Sequence, residues 1–173
     1  MSESDPPPFT LEQKVLFKHC DPAGIVFYPR YFEMMNDLVE AFFDVALGAP
    51  FERLHRTHSV PTVTIRSTFH APSRHGDRLA LAVAPTRIGG ASMDMVISGS
   101  CGGEARFDAA LTLVHIERNG RPERWPDAIR TAASAHLRAP EDDRDAPDTP
   151  SPQRADRSRR GLPKPHQADR RRP

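Results

Sequence analysis

Between Pro29 and Leu47, apolar side chains recur at Tyr31, Phe32, Met35, Leu38, Val39, Phe42, Phe43, Ala46 and Leu47. Steps of three and four residues are those of one helical face. Pro29 suits a first helical position, where a missing N–H costs nothing, and Gly48 stands where a C-terminal glycine ends a helix. The spacing predicts a helix over 29–47, a rod of about 28 Å. Its apolar stripe is broad, so the helix must be buried over much of its circumference rather than float on a surface. A chain with one such helix needs a sheet that curves around it.

The remaining elements supply that sheet. Phe9–Lys18 contains no Gly or Pro, alternates loosely and is read as a strand before the helix. Four strand-like runs follow the helix. Thr62–Ala71 sets Val63, Ile65, Ser67 and Phe69 on one face against Thr64, Arg66, Thr68 and His70 on the other. Asp77–Ile88 carries Leu79, Leu81 and Val83, with Pro85 marking an edge or a bulge. Ser92–Cys101 alternates through Met93, Met95 and Ile97, and Glu104–Ile116 ends in a β-branched, apolar stretch. Gly89-Gly90 and Gly102-Gly103 are hairpin signals between these runs. Asp127–Leu137 reads as a short last helix. Strands in series joined by tight turns pair antiparallel, which gives an α+β architecture of about five strands around one helix.

Composition divides the chain into a body and two ends. Residues 1–8 read as a flexible leader, residues 9–138 as one folded domain, and residues 139–173 as a disordered tail rich in Pro, Arg and Asp. The tail holds seven of the 18 prolines, with nine Lys/Arg, seven Asp/Glu and only Leu162 as a large aliphatic. Such a segment cannot bury enough apolar surface to offset its conformational entropy. Without it, charges in the body nearly cancel, so no nucleic-acid partner is expected for the folded domain. Two cysteines, Cys20 and Cys101, make no disulfide framework. No run approaches the ~20 apolar residues that span a bilayer. The expectation is a cytoplasmic protein with no membrane partner.

The segment His19-Cys20-Asp21-Pro22-Ala23-Gly24-Ile25-Val26-Phe27-Tyr28-Pro29 joins the first strand to the helix. It carries one carboxylate, Asp21, just before a helix N-terminus. Turn aspartates commonly make only local hydrogen bonds, and that is one reading. A reactive group is the other.

The run Asp21-Pro22-Ala23-Gly24-Ile25-Val26-Phe27-Tyr28-Pro29-Arg30-Tyr31, after a strand and opening a long helix, resembles the signature of the 4-hydroxybenzoyl-CoA thioesterase family of hotdog enzymes. The resemblance extends by order of elements over residues 9–137. It implies a hotdog fold, with the long helix wrapped by the sheet, and hydrolysis of an acyl-CoA thioester to a free acid and CoA. The preferred acyl group would be aromatic or of short to medium length. The family's essential carboxylate matches Asp21. Helix N-termini present unpaired N–H groups and a positive dipole end, so the amides of Phe27 and Tyr28 are candidate oxyanion donors. Gly24 lets the backbone approach a substrate closely. Asp21 is open to a nucleophilic role or a general-base role.

The resemblance also supplies secondary candidates. His19 either hydrogen-bonds near the site or is a half-exposed histidine at a strand end. Phe27 and Tyr28 either line an acyl pocket or belong to the core. Asn36 aligns with a carboxylate that meets the substrate hydroxyl in the hydroxybenzoyl branch, with Asp37 on a different face. The basic cluster of that branch is replaced here by Gly89-Gly90-Ala91, which leaves Arg66, Arg74, His75 and Arg87 as candidates for the CoA phosphates. No cofactor is implied. Among the histidines only His55-x-x-His58 is closely spaced, without companions, and no metal site is expected. Family members pair into homodimers and often homotetramers. The alternatives are a thioesterase acting on an acyl-carrier protein and a non-catalytic hotdog module that binds acyl-CoA or a protein.

Overall fold

A computed structural model describes residues 6–139. In chain order the strands are β1 (Phe9–Lys14), β2 (His58–Ser59), β3 (Thr62–Phe69), β4 (Arg78–Ile88), β5 (Ser92–Cys101), β6 (Glu104–Val114) and β7 (Ile116–Glu117). The helices are α1 (Pro29–Ala41), α2 (Phe51–Leu54) and α3 (Asp127–Ser134). Five strands form one antiparallel sheet in the order β1-β4-β5-β6-β3, and β2 and β7 pair separately. The expected architecture, one sheet around one long helix, is the architecture observed.

The core is the inner face of that sheet against α1. Alternate positions Leu79, Leu81 and Val83 of β4, Met93, Met95 and Ile97 of β5, and Phe107, Leu111 and Leu113 of β6 are buried. They meet Tyr31, Met34, Met35, Leu38 and Val39 of the helix. The period of two on the strands and of 3.6 on the helix therefore bring their apolar sets to one interface. Both central residues of the Gly102-Gly103 turn have positive φ, 58° and 84°. That conformation matches the twist of β5 and β6 and is open to glycine without strain.

Three boundaries differ from expectation. The first strand stops at Lys14, because Phe17–His19 tightens into a 3₁₀ turn. The long helix is α-helical only to Ala41 and continues as a wider π turn over Phe42–Ala46. Gly48, at φ 62°, then ends it. Pro85 lies on an interior strand rather than at an edge, next to an irregularity between Pro85 and Arg87. The missing N–H is tolerated because the β1 ladder already ends at Val83.

β3 also differs. Its expected apolar face is largely open, with Val63 54%, Ile65 44% and Phe69 43% exposed. β3 is an edge strand that pairs only with β6 among the described residues. No helix among the described residues is long and apolar enough to cross a membrane. The reading of residues 140–173 as a disordered tail lies outside the described residues.

Candidate functional site

The Asp21 segment is built from backbone hydrogen bonds. Cys20 bridges to Val26 and Ile25 to Arg74. The Asp21 N–H donates to the Ile25 carbonyl at 3.0 Å, and the Gly24 N–H donates to the Asp21 carbonyl at 2.9 Å. The Asp21 Oδ1 accepts the Ala23 N–H at 2.8 Å. This is an Asx-type turn, so the local reading of Asp21 holds. It also fixes the carboxylate, because one oxygen is committed and the other carries no hydrogen bond to a described residue. Gly24, at φ 77°, closes the turn with no atom within 4 Å of where a Cβ would stand.

Behind the turn lies a buried anchor. The Val26 N–H donates to the Ser73 carbonyl at 2.9 Å, and the Ser73 N–H donates to the Tyr31 hydroxyl at 3.2 Å. Tyr31 is in the first turn of α1 and is 4% exposed. The segment leading into the helix and the helix itself are thus tied through Ser73. Sequence spacing gave no sign of Ser73, which is distant from both along the chain.

The two oxyanion candidates separate here. The Phe27 N–H donates to the His19 carbonyl at 3.0 Å and is committed, which corrects the expectation for that amide. The Tyr28 N–H makes no hydrogen bond to a described residue and sits at the N-terminal end of α1. A free amide at a helix start is where an anion or a developing oxyanion is stabilised. The Phe27 and Tyr28 rings are exposed, not core, and pack edge-on at 5.4 Å. Tyr28 in turn meets Phe32 at 6.4 Å.

His19 is buried, not half-exposed. Its Nδ1 accepts the Leu16 N–H at 3.0 Å, which requires the neutral Nε2–H tautomer. Burial, then the charge of Lys18, pushes its pKa below the usual histidine value, with Arg30 adding to this against the opposing pull of Glu33 and Asp37. The ring caps the 3₁₀ turn and positions the segment through its own carbonyl.

A cleft of about 300 Å³ opens between α1 and the β3–β6 end of the sheet. Phe32, Met35 and Val39 line it from the helix, Leu111 and Leu113 from β6, and Ile65 from β3. Asn36 and Thr62 supply its polar side chains. Asn36 is thereby placed as expected, about 12 Å along the helix axis from Tyr28.

The candidate cations are dispersed. Arg74 adjoins the Asp21 turn through its bridge to Ile25, and its side chain has no ionic partner among the described residues. His75, next to it, packs edge-on against the exposed Phe17. Arg66 is exposed on β3. Arg87 is not available as expected, because its Nε donates to the Asp94 Oδ2 at 2.7 Å. Burial opposes the Asp94 charge, but hydrogen bonds from Arg87 and Thr112 outweigh it and hold the carboxyl below the usual range.

Comparison with known proteins gives these features a family context. Residues 23–106 match the model of the thioesterase superfamily, a span that begins just after Asp21. No curated protein matches the chain in sequence. Among solved structures, a 1,4-dihydroxy-2-naphthoyl-CoA thioesterase from Synechocystis is similar at a TM-score of 0.68 and 21% identity, over 73% of this chain and 95% of that one. A gentisyl-coenzyme A thioesterase is similar at 0.67 and 23%, over 72% and 98%. A thioesterase-superfamily protein from Jannaschia sp. CCS1 is similar at 0.70 and 23%, over 79% and 99%. At these identities the likeness establishes the hotdog fold.

Proposed function

We propose that this chain, which belongs to the thioesterase superfamily, hydrolyses an acyl-CoA thioester to the free acid and CoA, with Asp21 as the reacting carboxylate. One observation carries the reading. Asp21 has one oxygen held by the Ala23 N–H, in the same short segment that ends at the unengaged Tyr28 N–H. A carbonyl bound by that amide at a helix start would have its developing negative charge stabilised. The free carboxylate oxygen attacks the thioester carbon, the C–S bond breaks, and CoA leaves as a thiolate that takes a proton from solvent. Water then hydrolyses the mixed anhydride and regenerates the carboxylate. An ordinary aspartate, with a pKa of about 3.9, is poorly matched to general-base work at neutral pH, which favours the nucleophilic route.

The cleft along α1 would take the acyl group. Its lining is apolar apart from Asn36 and Thr62, which suits an aromatic or medium-length chain with at most one polar substituent. Arg74 is the favoured contact for the CoA phosphates, with Arg66 secondary. A homodimer joined along β3 is part of the same reading. Edge strands with exposed apolar residues seek a partner, and Ile65 both lines the cleft and lies on that open edge.

The test is a panel of aromatic and aliphatic acyl-CoAs and acyl-pantetheines with a free-thiol readout, run on the parent protein and Asp21→Asn. Hydrolysis by the parent, cut at least about 100-fold by the substitution, is expected. Equal rates for the two proteins would remove Asp21 from the chemistry. Failure to cleave any thioester, with acyl-CoA still raising the melting temperature, would favour a binding module. Equal kcat/KM on CoA and pantetheine thioesters would favour an acyl-carrier-protein substrate.

A further inference from the structure

We propose that His58, His115 and Glu123 form a binding site for a divalent zinc-class ion at the β2–β7 end of the molecule. One ring nitrogen from each histidine and one carboxylate oxygen lie within 4.8 Å of one another. It is the grouping of three such side chains found among the described residues. Sequence spacing argued against a metal because 57 residues separate the two histidines; the fold removes that separation. His58 lies on β2, His115 between β6 and β7, and Glu123 on the segment returning after β7.

The three residues are held by different means. The His115 N–H donates to the Ala91 carbonyl at 2.8 Å, and the Glu123 N–H donates to the His115 carbonyl at 2.9 Å. The His115 ring is 1% exposed and stacks between His58 at 4.6 Å and Trp125 at 5.0 Å. Its Nδ1 lies 3.0 Å from the Glu123 carbonyl, which can only accept, so Nδ1 carries the proton and the other nitrogen carries the lone pair. A backbone acceptor of this kind is the usual outer support of a metal-ligating histidine. The His58 Nε2 lies 2.6 Å from the Glu123 Oε2, and its Nδ1 lies 2.8 Å from the Thr57 hydroxyl. That hydroxyl can accept from Nδ1 when Nε2 turns to a metal. The neighbouring carboxylate, Glu117, is engaged by Asn119 and leaves Glu123 as the anionic ligand.

Zinc holds such ligands at about 2.0–2.2 Å, which places donor atoms about 3.3 Å apart. The group is wider than that by little more than an ångström. His58 and Glu123 are the ones able to move, with side chains 30% and 45% exposed, while His115 is fixed. The ion takes the place of the proton shared by His58 and Glu123, which is released to solvent. Two imidazoles and one carboxylate suit Zn²⁺ better than Mg²⁺ or Ca²⁺, and water completes the coordination. The site would brace the wall of the cleft, since Val60 and Thr62 follow His58 directly on the chain.

The test is titration of the metal-stripped full-length chain with Zn²⁺, followed by calorimetry, native mass spectrometry and melting temperature. Expected is one Zn²⁺ per chain, a raised melting temperature, and at least about tenfold weaker binding in both His58→Ala and Glu123→Gln. His166→Ala removes a tail histidine and should bind as the parent does. Co²⁺ should give the visible spectrum of a low-symmetry histidine and carboxylate site, absent in the two variants. Absence of stoichiometric binding, or binding undiminished in His58→Ala and Glu123→Gln, overturns the site. Both ligands are half-exposed, so neither substitution should unfold the chain, and the parent's circular dichroism checks this.

Discussion

The Asp21 Oδ1 accepts the Ala23 N–H at 2.8 Å, so the carboxylate proposed to react also folds its own turn. The two duties can be separated. Asparagine keeps an oxygen in the same place, and alanine does not. Asp21→Asn should melt within a few degrees of the parent while losing activity. Asp21→Ala should lose the activity and a further 0.5–1 kcal/mol or so of stability. Denaturant unfolding of the three proteins makes the comparison.

Tyr31 and Ser73 invite a second prediction. The Tyr31 hydroxyl is the acceptor for a buried amide, at 3.2 Å. Tyr31→Phe leaves that N–H unpaired and should cost about 1–3 kcal/mol. Because Ser73 also receives the Val26 N–H, the segment before the helix should loosen. A fall in kcat larger than the rise in KM is expected in steady-state kinetics, since the substrate cleft itself is untouched.

Gly99 and Phe107 face each other across β5 and β6. A Cβ on Gly99 would fall 2.3 Å from the Phe107 ring, which packs against Tyr31 at 5.1 Å and Phe69 at 6.4 Å. The ring is fully buried and cannot swing aside cheaply. Gly99→Ala should destabilise by about 1–3 kcal/mol. Adding Phe107→Leu should make the pair non-additive, with the alanine costing less in that background. Melting curves of the cycle test it.

His19 sets a dependence on pH. Its folded pKa lies below the usual value of 6.5, chiefly because burial disfavours the charged ring. The unfolded chain therefore binds a proton more readily than the folded one. The contribution of His19 is intact above about pH 6.5 and is lost as the pH falls below it. His19→Asn keeps an acceptor for the Leu16 N–H but does not titrate. Its stability should fall less than the parent's between pH 7.5 and 5.5, measured by urea unfolding.

The parts of this molecule that were legible in the sequence are those written as short-range periods. The α1 stripe and the alternation of β4, β5 and β6 each show in a window of ten residues, and each is realised in the core. The Asp21 turn was legible because Pro22, Gly24 and Pro29 mark it locally. What was not legible depends on residues far apart in the chain. Nothing near Phe27 says that its amide meets the His19 carbonyl rather than a substrate. Arg87 read as free until β5 brought Asp94 beside it. Val63, Ile65 and Phe69 alternate like a buried strand, yet their position at the sheet edge leaves them open. His58, His115 and Glu123 were invisible together for the same reason.

The π turn at Phe42–Ala46 acts as a phase correction. In a regular helix two adjacent residues point about 100° apart, so one stripe cannot seat both in the core with equal depth. Here Phe42 and Phe43 are both fully buried and serve different neighbours: Phe42 meets Phe9 and His136, Phe43 meets Phe51 and Trp125. The widened turn is one residue longer than an α turn, and that residue rotates the helix end until both aromatic clusters are reached. Removing a single residue there, such as the exposed Val45, would straighten the helix and leave one cluster without its ring. The helix is thus indexed to two ends of the fold, and its length counts in phase as well as in ångströms.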